Sequence, residues 1–337
     1  MIAFAVLQHR TRILLAAAGL AALAIVAVAA GTHLRGNDQL RELLSLLVLA
    51  VPAILGAFWG APLLAGEFET GTFRLAWTQS VTRTRWTAAQ VGVLGLAGTA
   101  LVGLLSLLVT WWAGPLDRSS ANRFLTFDER DLAPVGHAAF AFALGVAAGV
   151  LIRRVLPAMA TAFAAFVAAR VAVGQWVRPN LLAPVRLSLP LDPSSTGYGG
   201  GPFAASTLQP EPPRLPNAWI ISMRVVDAAG HPLTRSVLSD TCPGLGTRAS
   251  DEPRSGLAHQ QAPQSAVDRM HDCVTRIGTT YHEAVAYQPA QRYWALQWYE
   301  TAIFLGAGAA LVAFCLCWVR RSRGRRRSIR YWTAPSS

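Results

Sequence analysis

Long apolar stretches separated by short polar ones dominate this chain. A membrane-spanning helix needs about 20 mostly apolar residues, and six stretches meet that requirement. They are Ile13–Ala30, Leu43–Ala65, Ala88–Ala113, Val135–Ile152, Val155–Val177 and Trp298–Val319. The first also resembles a secretory signal peptide, but its uncharged run is longer than the apolar region of such peptides. The pattern therefore predicts an all-α integral membrane protein with six transmembrane helices.

The stretch between the fifth and sixth spans, residues 178–297, has a different pattern. Its first third, Pro179 to Pro216, is rich in Pro, Gly and Ser and is predicted to be irregular. Apolar and polar residues then alternate from Trp219 to Leu233 around a glycine-containing turn, which indicates a β-hairpin. The chain is therefore predicted to have four regions: spans 1–5 in residues 1–177, a separate segment 178–297, a sixth span 298–319 and a basic tail 320–337.

Composition strengthens the membrane interpretation. Only 14% of the 337 residues are charged and 53% are apolar, whereas soluble domains carry about 25% charged residues. The net charge is +12, and all 30 basic residues are arginine. A phosphate-binding P-loop needs a lysine, so a Walker-type ATP site within this chain is excluded, as is chemistry based on a catalytic lysine.

The arginines also predict an orientation. With the N-terminus inside, 14 arginines fall in cytoplasmic segments and 5 in the two short outer loops, which follows the positive-inside rule. Both termini are then cytoplasmic, and the segment of about 120 residues between helices 5 and 6 is extracytoplasmic. The arginine tail directly follows a span, so we expect it to bind anionic lipid rather than nucleic acid.

Two cysteines of the outer segment, Cys242 and Cys273, would lie in an oxidising compartment and are predicted to form a disulfide. A metal site built from His271, Cys273, His282 and Glu283 is the alternative. That spacing matches no common zinc pattern, so no metal is predicted.

Few polar residues lie inside the predicted spans. Arg170 is the charge deepest within one, so Arg170 and nearby Gln175 are candidates for a substrate pathway; the alternative is that the arginine extends to the membrane surface. His137 and Glu300 lie in the first turn of their spans and are predicted to face the interface. The Gly145–Gly149 pair predicts close helix packing.

The loop between the second and third spans, residues 66–87, is the most informative segment. Gly71 can end the second span, and Thr72 can begin a short helix that carries Phe73 and Trp77. Ser80 or Thr82 is placed to cap the third span. Such a helix would lie along the inner face, either as a plain interfacial helix or as an element that receives force from a soluble partner.

The order of residues in this loop resembles ABC-2-type transporter permeases. The resemblance rests on an acid-x-acid-x-Gly-Thr pattern, which includes Glu67 and Glu69, and on Ser80-Val-Thr-Arg83. Phe68 stands where many members have a basic residue. An actinobacterial subgroup also shares the segments Gln8–Arg10, Gly60–Leu64 and Tyr287–Trp294.

The resemblance implies a partner and a mechanism. Family members pair two permease copies or paralogues with two separate ATP-binding subunits, and usually export their substrate. The resemblance makes the loop from Glu67 to Arg83 the contact with the ATPase, with ATP-Mg used by that partner and no cofactor bound by this chain. Among its residues, Glu67 and Glu69 would pair with basic residues of the ATPase, and Phe73 and Trp77 would be buried anchors.

Two other classes of function stay open. One is a multi-pass membrane sensor or scaffold with a ligand-binding extracytoplasmic domain. The other is an integral-membrane enzyme, which would need acids, histidines or a nucleophile gathered at one membrane depth. The sequence shows no such constellation, so the chain is predicted not to be an enzyme.

Overall fold

The structure is a computed structural model. It describes residues 38–70, 83–118, 122–191, 213, 215–241 and 264–321, with isolated positions between 10 and 22. Most of the predicted first span, the loop residues from Gly71 to Ser80, Cys242 and the arginine tail beyond position 321 lie outside the described residues. The chain divides into two compact units: residues Met1–Leu182 with Tyr293–Ser337, and residues Ala183–Arg292.

Unit 1 is helical. Its helices are α1 (Asp38–Leu55), a π-helical turn (Gly56–Gly60), α2 (Ala61–Thr70), α3 (Arg83–Arg118), α4 (Ala133–Ile152), α5 (Val155–Ala172) and α8 (Tyr293–Arg321). The described residues contain five helical stretches long and apolar enough to cross a membrane. These correspond in position to predicted spans two to six. The whole predicted set of six is not confirmed, because the first lies largely outside the described part.

Helix α4 is the centre of unit 1. Its residues are mostly buried, and Phe142 and Val146 pack with Leu94 of α3 and Cys315 of α8 in the main apolar cluster. By contrast, α5 buries only Ala158, Ala162 and Phe166. The large apolar side chains of α5 and α8 that remain exposed are suited to contact lipid.

Glycines let α4 approach the π-helical turn closely. A Cβ atom on Gly149 would lie 2.5 Å from the Ala61 carbonyl oxygen, and one on Gly60 would lie 2.5 Å from the Phe142 carbonyl oxygen. A Cβ atom on Gly145 would overlap the Gly56 carbonyl oxygen. The predicted close packing at Gly145 and Gly149 is confirmed, and we call the four residues Gly56, Gly60, Gly145 and Gly149 the glycine seam.

Unit 2 combines a small sheet with two helices, α6 (Arg235–Thr241) and α7 (Gln264–Gly278). The strands are β1 (Val185–Pro190), β2 (Trp219–Asp227) and β3 (Tyr281–Gln288), in the order β1-β3-β2 and antiparallel throughout. Cys273, Val274 and Ile277 of α7 are buried in the apolar cluster of this unit. The sequence interpretation missed α7, although the apolar spacing of Val267, Met270, Val274 and Ile277 is helical.

The predicted hairpin from Trp219 to Leu233 is only partly correct. The turn exists: Asp227 accepts hydrogen bonds from the backbone N–H groups of Ala229 (2.9 Å) and His231 (2.8 Å), and Gly230 has a φ of 87°. The returning chain forms a single bridge, Val226 to Pro232. Proline has no N–H to extend a ladder, and β2 pairs instead with the distant strand β3.

The cysteines and the alternative metal ligands of this segment can be placed in part. Cys273 is buried, whereas Cys242 lies outside the described residues, so the disulfide stays a prediction. The free thiols among the described residues are Cys315 and Cys317, both in α8. Adjacent residues of a strand point to opposite faces, which disfavours His282 and Glu283 of β3 as ligands of the same ion.

Glu283 gives a testable pH dependence. It is 4% exposed, its Oε1 atom has no hydrogen-bond partner, and burial raises its pKa above 4.5. The fold therefore disfavours the charged form, and the free energy of unfolding should fall as the pH rises through 4.5 towards the folded pKa. We expect Glu283→Gln to be more stable than wild type at pH 7, by about 1 kcal/mol, with the difference shrinking towards pH 4.

The measurement is thermal unfolding of the detergent-solubilised protein across this pH range. Asp227→Asn is the matched control of opposite sign. Hydrogen bonds from the backbone of His231 and Ala229 lower the pKa of Asp227 and outweigh the opposing effect of desolvation. That variant should lose stability at neutral pH. An equal response of wild type and Glu283→Gln at every pH would contradict the prediction.

Candidate functional site

Ionisable side chains from four parts of unit 1 meet at one end of the helix bundle, which we call the Asp128 end: the loop before α4, α4 itself, α5 with its extension, and α8. Asp128 comes from the loop 122–132 that joins α3 to α4, and Glu300 comes from the first turns of α8. Arg178 follows α5, after a π-helical turn, Val173–Val177, and begins a short 3-10 helix, Arg178–Asn180. We call Asp128, His137, Arg170, Arg178 and Glu300 the charge cluster.

Arg178 is the centre of the cluster. Its Nε and Nη2 atoms donate to the two carboxylate oxygens of Glu300, at 2.6 and 2.8 Å. The same guanidinium also donates to both oxygens of Asp128, one of them from Nη1 at 3.2 Å. Its Cζ atom lies 4.3 Å from the centre of the Phe127 ring, a cation–π geometry. Planar, forked hydrogen bonding of this kind is particular to arginine.

His137 and Glu300 are not at the interface as predicted. Both are buried, 0% and 1% exposed at the side chain, and His137 Nε2 lies 3.1 Å from Glu300 Oε1. The prediction used only their places in the first turns of their helices. It was wrong because α4 and α8 pack against each other there, so these turns face protein rather than lipid or water.

Arg170 reaches towards the same acids. Its Nη2 atom lies 3.6 Å from Asp128 Oδ1, and its side chain is 15% exposed. Nη1 donates weakly to the Leu49 carbonyl oxygen at 3.5 Å. Gln175 is exposed and lies outside the cluster. A role of Arg170 and Gln175 in a substrate pathway stays a prediction.

The loop that carries Asp128 is fixed by hydrogen bonds to α8. The Gln297 side chain accepts from the backbone N–H groups of Leu132 (3.2 Å) and Ala133 (2.7 Å), and donates to the Phe127 carbonyl oxygen (2.9 Å). Tyr293 donates to Asp131 at 2.6 Å. Gln297 therefore caps the first turn of α4 and holds the other side of the loop with one amide group.

The two neighbouring acids of this loop, Asp128 and Glu129, have pKa values shifted in opposite directions. Burial alone would raise the pKa of Asp128, but the positive charges of Arg178 and Arg170 and the hydrogen bonds from Arg178 outweigh it and lower this pKa below 3.8. Burial raises the pKa of Glu129 above 4.5, although Ser45 donates to its carboxylate at 2.7 Å. Asp128 is therefore charged at neutral pH and paired with arginine.

Asp128, His137 and Glu300 could in principle hold a metal ion, because their ligand atoms lie within 4.8 Å of one another. The Arg178 guanidinium, however, already lies between the two carboxylates and uses their lone pairs. A divalent ion there would face two arginine charges at close range. This donor set does not fit a metal, and the arrangement is an ion-pair network.

The opposite end of the bundle, which we call the Glu69 end, carries the described part of the predicted coupling loop. Glu69 lies in the last turn of α2, and its carboxylate accepts the backbone N–H of Val155 at 3.0 Å, the first residue of α5. Phe68 packs on the main apolar cluster, with Arg153 Cζ 5.7 Å from its ring centre. Glu67 is half-buried.

Within the chain, Glu69 caps the N-terminus of a helix, where carboxylates are favoured. Its pairing with a basic residue of the ATPase stays a prediction. Arg83 begins α3. The residues between them that were predicted to matter lie outside the described part: Gly71, Thr72, Phe73, Trp77 and Ser80.

Exposed tryptophans surround the Asp128 end. Trp111, Trp176, Trp294 and Trp298 are 47–69% exposed, and the contacts of their helices with the loop and the cluster place all four at this end. Indole rings are enriched where a bilayer meets water. This placement favours a membrane interface near the depth of the charge cluster.

The sequence alone gave little indication of the cluster. Arg178 appeared to be the first residue of the segment between spans, and Glu300 lies 122 residues further along the chain. The available signal was four ionisable residues and a glutamine, each within two or three turns of a predicted span end: His137, Arg170, Arg178, Gln297 and Glu300.

The family of this chain follows from its similarity to known proteins. No curated protein and no solved structure matches this chain. A family model described as ABC-2 membrane transporter related matches residues 5–178, a little over half of the 337 residues. With five apolar helices among the described residues, the chain is a multi-pass protein of the cell membrane. It belongs to the ABC-2 membrane transporter related family.

Proposed function

We propose that this chain is the membrane-spanning subunit of an ABC-2-like exporter, driven by a separate ATPase through residues 66–87. The observation that carries the proposal is the contact of Glu69 with Val155, since it connects the start of that loop to a third helix. The family match supports a transport subunit, and the absence of lysine supports an energy source in another chain.

The contacts at the Glu69 end suggest how force would spread. The loop leaves α2 at Thr70 and enters α3 at Arg83. Because Glu69 binds the first N–H of α5 and Phe68 lies beside Arg153, a displacement of the loop would also act on the turn between α4 and α5. Closure of an ATPase dimer would then move α2, α3 and α5 together.

The proposed arrangement places the Glu69 end in the cytoplasm and the Asp128 end outside, as the arginine distribution favours. Unit 2 would then be extracytoplasmic, in a compartment that permits the Cys242–Cys273 disulfide. A second permease copy or paralogue would complete the transport pathway, and the exposed faces of α5 and α8 would contact it or the lipid.

The test is co-purification with candidate ATP-binding subunits, combined with ATP turnover of the complex. We expect Trp77→Ala to reduce ATPase recovery at least tenfold, because a buried aromatic anchor is worth about 2 kcal/mol or more. Glu69→Ala should reduce it less, by loosening the α5 cap, which is worth about 1 kcal/mol, and Glu69→Gln, which keeps an acceptor, should lie nearer wild type.

Trp111→Ala is the matched control, since this exposed tryptophan lies at the opposite end of the bundle and should leave ATPase recovery unchanged. Retention of the ATPase by Trp77→Ala and by the Glu67→Ala/Glu69→Ala double variant would contradict the coupling role of the loop. If no ATP-binding protein associates and ATP turnover is never stimulated, the sensor or scaffold alternative is correct instead.

A further inference from the structure

The segment from α5 to unit 2, residues 173–180, is held differently from the rest of the bundle. Beyond Phe166 no residue up to Asn180 is buried. Val173, the first residue of the segment, packs on the apolar cluster of Phe140, Phe166 and Phe304, whereas residues 174–180 are half-buried or exposed. Its first turn, Val173–Val177, is π-helical, a geometry that often marks functional sites in helices. Trp176 and Val177 are 69% and 37% exposed.

Two arginines hold this segment to the other helices. Arg178 binds Asp128 and Glu300 together, and Arg170, two turns earlier, forms a longer ion pair with Asp128. Buried ion pairs are costly to desolvate and contribute little net stability compared with apolar packing. Their hydrogen bonds need a defined geometry, so the contact favours one position of the segment. It adds little, however, to the free energy that keeps the segment in that position.

The other side of this contact is rigid. Loop 122–132 is fixed to α8 by Gln297 and Tyr293, and Phe304 of α8 stacks edge-on against His137 of α4 at 4.6 Å. The loop, α4 and the start of α8 therefore form one body. The segment beyond Val173 is the part of this end that can separate, because it is held mainly by the ion pairs of Arg178 and because Asp128, 31% exposed, is within reach of water.

We propose that residues 173–180 are a gate segment, which Arg178 and Arg170 hold closed against Asp128 and Glu300 and which opens during the transport cycle. The proposal rests on the proposed transport function. In the open state, water would hydrate the two carboxylates and the two guanidinium groups. The energy that moves the segment would come from α5, whose first residue contacts Glu69 at the opposite end of the bundle.

The experiment measures a distance across the gate. Spin labels are placed at Leu125→Cys on the loop and at Asn180→Cys on the gate segment, both exposed, with Cys315 and Cys317 replaced by alanine. Pulsed electron paramagnetic resonance on the purified full-length protein is expected to give a single short distance. The Arg170→Gln/Arg178→Gln variant should show an additional, longer distance without any nucleotide. When both arginines are intact, the same longer distance should appear once the complex with the ATPase is trapped in its ATP-bound state.

Three comparisons separate the gate from a merely structural contact. Asp128→Asn, which removes the charge that both arginines bind, should also add the longer distance, and Arg178→Lys should give a mixture. Arg154→Gln, at the other end of the same helix and exposed, should leave the distance unchanged. An unchanged distance in the folded Arg170→Gln/Arg178→Gln protein would overturn the proposal.

The effect of ATP trapping on the complex is interpreted separately from the effect of the arginine variants. If the arginine variants lengthen the distance but ATP trapping does not, the segment opens without nucleotide control and its assignment as a gate of the transport cycle fails. If no ATPase associates at all, the proposed function fails, whereas the result for the isolated subunit still stands.

Discussion

Replacing Gly145 with alanine is expected to prevent most of the protein from reaching a stable fold. The added Cβ atom would overlap the Gly56 carbonyl oxygen and lie 2.9 Å from the Ala61 backbone nitrogen. These are backbone atoms, which cannot move aside as a flexible side chain does, so the helices must separate. Forced overpacking costs about 1–3 kcal/mol, and we expect the upper end of that range or more here.

The measurement is the yield of monodisperse protein after detergent extraction, followed by its apparent Tm. Gly306→Ala is the matched control: this glycine also lies in a helix of unit 1, but a Cβ atom there has nothing within 4 Å. We expect wild-type behaviour from it. A Gly145→Ala protein with wild-type yield and Tm would show that α4 and the π-helical turn are not packed as closely as the structure shows.

Gln297→Leu is expected to have the second-largest effect. The substitution leaves the N–H groups of Leu132 and Ala133 and the Phe127 carbonyl without their partner, where Gln297 is 0% exposed. An unsatisfied buried backbone group costs about 1–3 kcal/mol, so a total near 3 kcal/mol is expected. Gln297→Glu keeps the acceptor for the two N–H groups and should lose less.

Thermal unfolding and limited proteolysis of the loop 122–132 provide the measurement. Cleavage within this loop should rise sharply in Gln297→Leu and moderately in Gln297→Glu. Gln175→Leu, an exposed glutamine at the same end of the bundle, should remain at the wild-type level. Equal protease resistance of all four proteins would contradict the assignment of Gln297 as the residue that fixes the loop.

The apolar pattern predicted most of the helical part because a membrane limits the choices. Spans two to six were located by length and hydropathy alone, and α4 begins within two residues of its predicted start. Gly145 and Gly149 could be recognised as a packing pair because they are four residues apart on one helix face. Gly56 and Gly60, on the other side of the seam, have the same four-residue spacing, but the sequence does not show that the two glycine pairs face each other.

The charge cluster could not be predicted because its pairings are long-range. Nothing local in the sequence joins Arg178 to Glu300, and the hydrophobic pattern places Arg178 just outside a span. The contact of Glu69 with the N-terminus of α5 is also long-range, since Val155 lies 86 positions further along the chain. His137 and Glu300 were wrongly predicted to face the interface because a polar residue near a span end was treated as exposed.

The Arg178–Glu300 pair also joins the two points at which the chain leaves and re-enters unit 1, since unit 2 is the intervening segment Ala183–Arg292. With those ends held together, the closure entropy of the segment changes slowly with its length, by about 0.6 kcal/mol for each doubling. Longer or shorter insertions at this point would thus cost the membrane helices little. Relatives of this protein can be expected to keep the helices and vary freely in what they carry between the fifth and sixth.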